Sequence, residues 1–247
     1  MCIAIFKPAE ATIGREILEC CEDSNRDGFG FAVASGGLHY RRYPGRELFE
    51  TFCNDLAMLT NGKPAIVHFR IATHGPVTLE NCHPFAINKG LAMIHNGIID
   101  TPIQKNQEHL SDTWHYTENV LRKLPVGFER SEGTIELIRR TIGWSRMVFL
   151  DRTGRHTIIN EQSGIWEQDG CWYSNNSYKP SRYTWADSSE DGPGFQTIDS
   201  WEYESCDSCS QSVKFDTLAD VGGCAVCPDC CNAFGVPLNQ RQSIFGN

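Results

Sequence analysis

The sequence predicts an α+β protein, in which a main layered domain is followed by a small cysteine-rich segment. Short apolar runs rich in β-branched and aromatic residues recur over residues 2–173 and are bounded by turn residues, as strands are. Amphipathic helical patterns interrupt these runs at two or three places, which indicates a mixed layered domain. Six of the twelve cysteines lie between Cys206 and Cys231.

Each element follows from a local pattern. Apolar residues recur at helical spacing over residues 46–60, and Ser111 stands at the N-cap position of a helix that extends to about Leu124. A further helix is predicted over residues 131–142. The predicted strands cover residues 2–6, 29–34, 38–43, 65–72, 91–95, 145–150, 155–160 and 165–173.

Composition excludes several classes of protein. The 247 residues carry a net charge of −9, which argues against direct nucleic-acid binding because such binding depends on Lys and Arg. No apolar run approaches the ~20 residues that cross a bilayer, so no membrane association is expected. The N-terminus lacks a basic segment followed by a long apolar one, so we expect a cytoplasmic protein without a signal peptide.

The cysteine-rich segment has the spacing of a zinc ribbon. Cys206-x2-Cys209 and Cys227-x2-Cys230 are separated by seventeen residues, so that four thiolates can surround one structural Zn²⁺. Cys224 and Cys231 leave the exact ligand set open, and a reduced tail without metal is the alternative. Acidic residues outnumber the single Lys214, which favours protein docking or stabilisation over phosphate binding.

Polar and Gly/Pro residues over 187–194 indicate a linker. The predicted organisation is a main domain over 2–186, a linker over 187–204, a zinc ribbon over 205–235 and a tail over 236–247.

Four short blocks carry the candidate chemistry. They are Met1-Cys2-Ile3, the run from His68 to Gly75, Asn81-Cys82-His83-Pro84-Phe85 and the run from His95 to Ile99, and Ser111-Asp112-Thr113 follows them. Each has an ordinary interpretation by itself. Cys2 could have no role, Asn96-Gly97 could form a type I′ turn, Arg70 could be a surface charge and Asp112 could complement a helix dipole.

Together and in this order, the blocks resemble the glutaminase domain of class II glutamine amidotransferases, over residues 2 to about 115 and more loosely to about 180. The resemblance implies the four-layer αββα sandwich of N-terminal-nucleophile hydrolases. It also implies that Cys2 is the nucleophile and that Asn96 and Gly97 form the oxyanion hole. Substrate binding then falls to Arg70 for the α-carboxylate, Thr73 and His74 beside it, and Asp112 for the α-ammonium.

The residue types suit this chemistry. A thiol with a pKa of ~8.5 needs a base at neutral pH, and a free α-amine, which titrates at about 7.7–8.0, provides one on the same residue once Met1 is removed. Attack on the glutamine amide gives an oxyanion and then a γ-glutamyl thioester. An arginine and an aspartate together select a free amino acid over a peptide.

Some positions depart from the family. Ile3 stands where Gly is usual and is expected to alter the backbone near the oxyanion, and Ile71 stands where Trp is frequent and is expected to alter pocket closure. The segment Asn25-Arg26-Asp27-Gly28-Phe29-Gly30 is either a turn that leads into a strand or a loop that supports the site.

The function expected is hydrolysis of L-glutamine with delivery of ammonia to a synthetase in trans, since only the linker and the ribbon follow the domain. Compact glutaminases of this kind resemble partners of enzymes that amidate nucleobases such as 7-deazaguanines. One alternative is an amidohydrolase for another γ-glutamyl compound. Another is a non-catalytic zinc-ribbon interaction module. The presence of the whole catalytic and substrate-binding set argues against it, namely Cys2, Arg70, Asn96, Gly97 and Asp112.

Overall fold

A computed structural model describes residues 2–72, 75–179, 203–206, 212–214, 217–221, 224–233 and 242–243. The chain divides into two compact units, Met1–Tyr178 and Lys179–Asn247. The domain limits expected from the sequence stay predictions. The linker predicted over 187–204 lies largely outside the described residues, as do Thr73, His74 and Cys209.

The first unit contains two antiparallel sheets. One has the order β3-β2-β4-β1-β10-β9 and the other the order β5-β6-β7-β8. The strands of the first sheet are β1 (Ile3–Lys7), β2 (Gly28–Ala34), β3 (Leu38–Tyr43), β4 (Ala65–Arg70), β9 (Ile165–Trp166) and β10 (Trp172–Tyr173). Those of the second are β5 (Phe85–Asn88), β6 (Leu91–Asn96), β7 (Arg146–Asp151) and β8 (His156–Ile159).

Helices cover the outer face of each sheet. The helices are α1 (Arg15–Ser24), α2 (Phe49–Thr60), α3 (Asp112–Asn119) and α4 (Glu132–Ile142). Side chains of α1 and α2 pack on the first sheet, and those of α3 and α4 pack on the second. A third apolar cluster, which includes Ala4, Ile66, Ile94 and Val148, fills the space between the sheets. The first unit is therefore a four-layer αββα sandwich.

The central strands β1, β2, β4, β6 and β7 have largely apolar sequences because both of their faces are buried. In β1, Ile3 and Ile5 pack toward the helices, whereas Ala4 and Phe6 pack toward the other sheet. This alternation determines on which face of the sheet the side chain of Ile3 lies. Its side chain is fully buried in the helix-facing core, so it acts there as a packing residue.

The structure corrects several expected elements. The helix predicted from Ser111 to Leu124 ends at Asn119 and is followed by a short 3₁₀ helix, and a turn divides the strand predicted over 165–173 into β9 and β10. The first turn of the helix predicted over 46–60 is also 3₁₀. Helix α1 and strand β5 had no counterpart in the sequence analysis.

The second unit contains short elements. Strands β11 (Tyr203–Ser205) and β12 (Ser212–Lys214) form a hairpin, while β13 (Ala219–Val221), β14 (Cys224–Val226) and β15 (Gln242–Ser243) form a sheet of order β14-β13-β15. Helix α5 (Pro228–Ala233) follows β14 directly. None of the helices that the structure describes is both long and apolar enough to cross a membrane.

Candidate active site

Cys2 lies directly before β1, which pairs with β4 on one side and β10 on the other. Its Sγ donates to the carbonyl of Ile71 and accepts from the Ile71 N–H, both at 3.4 Å. The Cys2 carbonyl accepts from Asn175 Nδ2 at 2.8 Å. The segment after β10 thus fixes the backbone of Cys2, while the segment after β4 holds its thiol.

Burial raises the pKa of the Cys2 thiol, and the Ile71 N–H and the nearby Arg70 charge oppose that rise. The neutral thiol is therefore the stable form at neutral pH. A nucleophilic role consequently requires a base that removes the thiol proton during attack.

Arg70 ends β4 and is only 4% exposed, so the interpretation as a surface charge is excluded. Its guanidinium donates to the carbonyls of Pro76 at 3.3 Å and Gly75 at 3.4 Å. The loop before β2 holds the same strand end, because Asp27 Oδ2 accepts from the Ala72 N–H at 2.7 Å and the Asp27 N–H donates to the Arg70 carbonyl at 2.9 Å. The segment over residues 25–30 therefore leads into β2 and also supports the end of β4 that carries Arg70.

Asn96 ends β6 and Gly97 follows it, and β6 pairs with the distant β7, so these two residues do not form the turn of a hairpin. Asn96 is fully buried, and its Nδ2 donates to Ser174 Oγ at 2.9 Å. Ser174 Oγ also accepts from the Ala4 N–H at 2.9 Å, which connects β1 to Asn96. Gly97 has φ +137°, and a Cβ built on it would come within 2.2 Å of Ser145 Oγ.

Asp112 is the first residue of α3 and lies directly after the N-cap Ser111, whose Oγ accepts from the Trp114 N–H. Its Oδ2 accepts from the Ile99 N–H at 2.6 Å and its Oδ1 accepts from the Thr113 N–H at 2.7 Å. The carboxylate is thereby fixed beside the segment that follows Gly97.

One pocket brings these elements together. Four of the sequence-predicted site residues line it, namely Cys2, Arg70, Gly97 and Asp112, together with Ile71, Asn81, His83, His95, Ser111 and Thr113. Asn96 lies just before Gly97 and is not among the lining residues. Thr73 and His74 fall outside the described residues, so their predicted role is untested.

Sequence reasoning gave no role to Asn81, which ties two walls of the pocket together. Its Nδ2 donates to the carbonyls of Pro76 and His109, and its Oδ1 accepts from the Ser111 N–H at 2.8 Å. Asn81 is fully buried. It lies within one of the four sequence blocks, so the signal was present, but only the fold shows which segments it joins.

Three buried histidines, His68, His83 and His95, lie beside the pocket. The rings of His68 and His83 are 3.9 Å apart, and the His68 Nε2 lies 3.0 Å from the His95 carbonyl. Burial lowers the pKa of His68 to about 3 and that of His95 to about 4, and it lowers the pKa of His83 well below its usual range. All three rings are neutral at physiological pH.

These histidines are expected to make the fold sensitive to acid. Below pH 6.5 the unfolded chain binds protons at all three rings and the folded chain does not, so the free energy of unfolding falls as pH falls toward about 4. Each ring contributes a slope of about 1.4 kcal/mol per pH unit. We expect His68→Gln to reduce the slope by about that amount in urea denaturation between pH 6.5 and 4.5. An unchanged slope would contradict the assignment.

A separate cluster of thiols lies in the second unit. The Sγ atoms of Cys206, Cys227 and Cys230 all lie within 4.8 Å of one another. The Cys227 N–H points to Cys206 Sγ at 3.1 Å, and the Cys230 N–H points to Cys227 Sγ at 3.4 Å. Backbone N–H groups directed at sulfur stabilise thiolates, which is the form that binds a metal ion. The buried Cys231 is outside this cluster, because its Sγ faces the Val226 carbonyl.

Comparison with known proteins supports the resemblance of the first unit to a glutaminase domain. The chain is 31% identical over 154 residues to the glutamine–fructose-6-phosphate aminotransferase (isomerizing) of Bacillus spizizenii, covering 58% of this chain and 25% of that protein. The enzyme of the same name from Wigglesworthia glossinidia brevipalpis is 49% identical over 85 residues, which cover 34% of this chain and 12% of the relative. The chain thus spans about a quarter or less of the length of these relatives.

No protein-family model matches the chain. Among solved structures, the glutamine phosphoribosylpyrophosphate amidotransferase of B. subtilis in complex with ADP and GMP aligns with a TM-score of 0.43 and 17% identity, over 70% of this chain and 41% of that chain. The four-layer fold of the first unit follows from its strand order and its apolar layers.

Proposed function

We propose that this chain, which belongs through its first unit to the class II glutamine amidotransferases, hydrolyses the side-chain amide of L-glutamine at Cys2. After removal of Met1, the free α-amine of Cys2 takes the thiol proton and the sulfur attacks the amide carbon. The C–N bond then breaks, ammonia departs with a proton from the amine, and a γ-glutamyl thioester remains. Attack by water on the thioester releases glutamate and restores the thiol.

The observation that carries this proposal is the meeting of Cys2, Arg70, Gly97 and Asp112 at one pocket. Arg70 offers a buried guanidinium for a carboxylate, and Asp112 offers a carboxylate for an ammonium. The side-chain amide of Asn96 and the N–H of Gly97 are the proposed donors to the oxyanion. Each such donor is worth about 3–4 kcal/mol of transition-state stabilisation. Thr73 and His74 are proposed to complete the binding site for the substrate's α-carboxylate beside Arg70.

The test combines intact mass with a glutaminase assay. The purified protein is expected to lack Met1 and to release equal amounts of glutamate and ammonia from L-glutamine. Cys2→Ala is expected to abolish this release. Cys20→Ala is the matched control, because Cys20 is a second, partly exposed thiol remote in sequence from the pocket residues. Equal turnover in the wild type and Cys2→Ala would refute the mechanism.

A second measurement identifies the reacting thiol. An electrophilic analogue of glutamine is expected to label the peptide that begins with Cys2, and excess L-glutamine is expected to protect it. If the processed chain does not cleave glutamine but cleaves another γ-glutamyl compound at the same thiol, the alternative amidohydrolase is the correct function.

For the second unit we propose a structural Zn²⁺ held by Cys206, Cys227 and Cys230, with Cys209 as the fourth ligand. The three described thiols suit a tetrahedral thiolate site, and two of them already receive backbone N–H groups. When bound, such an ion contributes about 10–16 kcal/mol to the folding of a small domain.

Zinc content tests this ligand set. We expect about one zinc per wild-type chain by elemental analysis, and almost none after Cys227→Ser. Cys231→Ser is the matched control, because Cys231 is equally buried but faces a carbonyl instead of the other thiols. Loss of zinc in Cys231→Ser with retention in Cys227→Ser would overturn the assignment. The metal-free chain should also lose protease resistance in the second unit.

We propose further that the ammonia passes to a synthetase in trans, and that its acceptor is an activated nucleobase carboxylate such as that of a 7-deazaguanine. Large apolar side chains are exposed in the segments that connect Ile71 to Asn81 and Gly97 to Ser111, all of which line the pocket, and this suits a partner that covers it. They are Val77, Leu79, Ile98 and Ile103, each at least 44% exposed.

Isotope transfer tests direct delivery. With amide-¹⁵N glutamine, a candidate synthetase and the nucleobase acid, the amide product should carry ¹⁵N even in excess unlabelled ammonium. Dilution of the label by the ammonium would contradict direct delivery.

A further inference from the structure

His95 occupies a place in the pocket that the proposed reaction leaves without a role. His95 lines the same pocket as Cys2, Gly97 and Asp112 and is 2% exposed. Its Nδ1 lies 2.9 Å from Thr113 Oγ1, whereas its Nε2 has no hydrogen-bond partner within the described residues. A buried polar atom without a partner costs free energy, so a ligand that supplies one is favoured there.

The hydrogen-bond chain determines which ring nitrogen carries the proton. Thr113 Oγ1 donates its single proton to Asp112 Oδ1, which can only accept, at 3.3 Å. With that proton directed to the charged carboxylate, the hydroxyl oxygen accepts from His95 Nδ1, which lies 2.9 Å away. This is the tautomer on which the proposal below rests, with the proton of the neutral ring on Nδ1. The unpartnered Nε2 is consequently a hydrogen-bond acceptor.

The same pocket is short of acceptors for an ammonium group. A carboxylate offers about four lone-pair positions. Asp112 already accepts from the Ile99 N–H, the Thr113 N–H and the Thr113 hydroxyl. It therefore has room for about one of the three N–H bonds of an α-ammonium, and the others need acceptors nearby.

We propose that His95 Nε2 accepts a hydrogen bond from the α-ammonium of the substrate, beside Asp112, and so helps to select free amino acids. This inference rests on the proposed glutaminase function. The imidazole suits the task because its neutral ring accepts a hydrogen bond from a cation without repelling it. Thr113 Oγ1 contacts both His95 Nδ1 and Asp112 Oδ1, so one hydroxyl links the two side chains. We therefore place the aspartate and the histidine on the same substrate group.

The experiment compares two substrates in two variants. Glutaramate, the monoamide of glutaric acid, has the amide and the carboxylate of glutamine but no α-ammonium. In His95→Asn the side-chain amide can still donate to Thr113 Oγ1, but no atom remains at the Nε2 position. In His95→Gln the longer side chain returns an acceptor close to that position.

We expect His95→Asn to lower kcat/KM for L-glutamine by about 10- to 100-fold, as the loss of a hydrogen bond to a charged group predicts, and to leave kcat/KM for glutaramate nearly unchanged. The preference for glutamine over glutaramate should fall by the same factor, and His95→Gln should recover part of it. His39→Asn, at an exposed histidine of β3, is the matched control and should change neither value.

An equal loss for both substrates would overturn the proposal, because it would place His95 at the reacting amide or in the support of the fold. Unchanged preference in His95→Asn would overturn it as well. Glutaramate turnover shows that each variant is folded and that Cys2 is competent. If the wild type cleaves neither substrate, the proposed function fails, and that result is distinct from a failure of the role of His95.

Discussion

Arg70→Lys is expected to lower kcat/KM for L-glutamine by about 10²- to 10³-fold, through loss of the two-pronged bond to the α-carboxylate. Lysine keeps the charge but cannot present two parallel N–H groups. It also cannot reproduce the donations to the Pro76 and Gly75 carbonyls that orient the guanidinium in its buried position. The measurement is steady-state glutaminase kinetics, with the effect expected mainly in KM.

Two comparisons separate carboxylate binding from general damage. The substrate 4-aminobutanamide retains the amide and the amine of glutamine but lacks the carboxylate, so Arg70→Lys should turn it over about as slowly as the wild type does. Arg42→Lys is a control at a partly exposed arginine that does not line the pocket and donates to the Leu79 carbonyl. If Arg70→Lys loses activity on 4-aminobutanamide to the same degree, Arg70 supports the fold of the pocket and does not select the carboxylate.

The sequence was most informative where one residue type has one chemical purpose. The order of the motifs predicted a nucleophilic cysteine, a carboxylate-binding arginine and an ammonium-binding aspartate, and the fold brings Cys2, Arg70 and Asp112 to one pocket, while their roles stay predictions. Their supports were not assigned, because a support is defined by a partner that is distant in sequence. Ser174 joins Ala4 to Asn96, which precede it by 170 and 78 residues, and no local pattern indicates this.

The same limit applies to the secondary structure. Helix α4 was predicted because Ile135, Ile138 and Ile142 share one face at helical spacing. In the structure Ile138 and Ile142 are buried and Ser131 caps the start of the helix. Helix α1 was missed because its N-cap is Gly14, which supplies no side-chain hydrogen bond, and because few of its residues are apolar. Strand β5 has four residues, and its pairing with β6 shifts between Ala86 and Asn88, so its alternation is too short to recognise.

Gly97→Ala is expected to reduce kcat by at least about 10²- to 10³-fold, the effect of removing one oxyanion donor. The backbone of Gly97 has φ +137°, which side chains other than glycine rarely adopt. A Cβ there would come within 2.2 Å of Ser145 Oγ and 2.9 Å of Ser145 Cα. Because part of the obstacle is backbone, alanine must rotate the peptide or displace the end of β6, and either change moves the Gly97 N–H.

Two further variants decide whether Gly97 acts on the reaction or only on the fold. Gly133→Ala in α4 is the matched control, because nothing lies within 4 Å of a Cβ at that helical position, and it should leave kcat unchanged. Gly97→Ala with Ser145→Gly removes the contact with the Ser145 side chain but leaves the unfavourable φ. If the double variant regains its melting temperature and its kcat remains low, the position of the N–H is what catalysis requires. If kcat per folded molecule is normal in Gly97→Ala, the oxyanion depends on other donors and Gly97 serves the packing of β6 against Ser145.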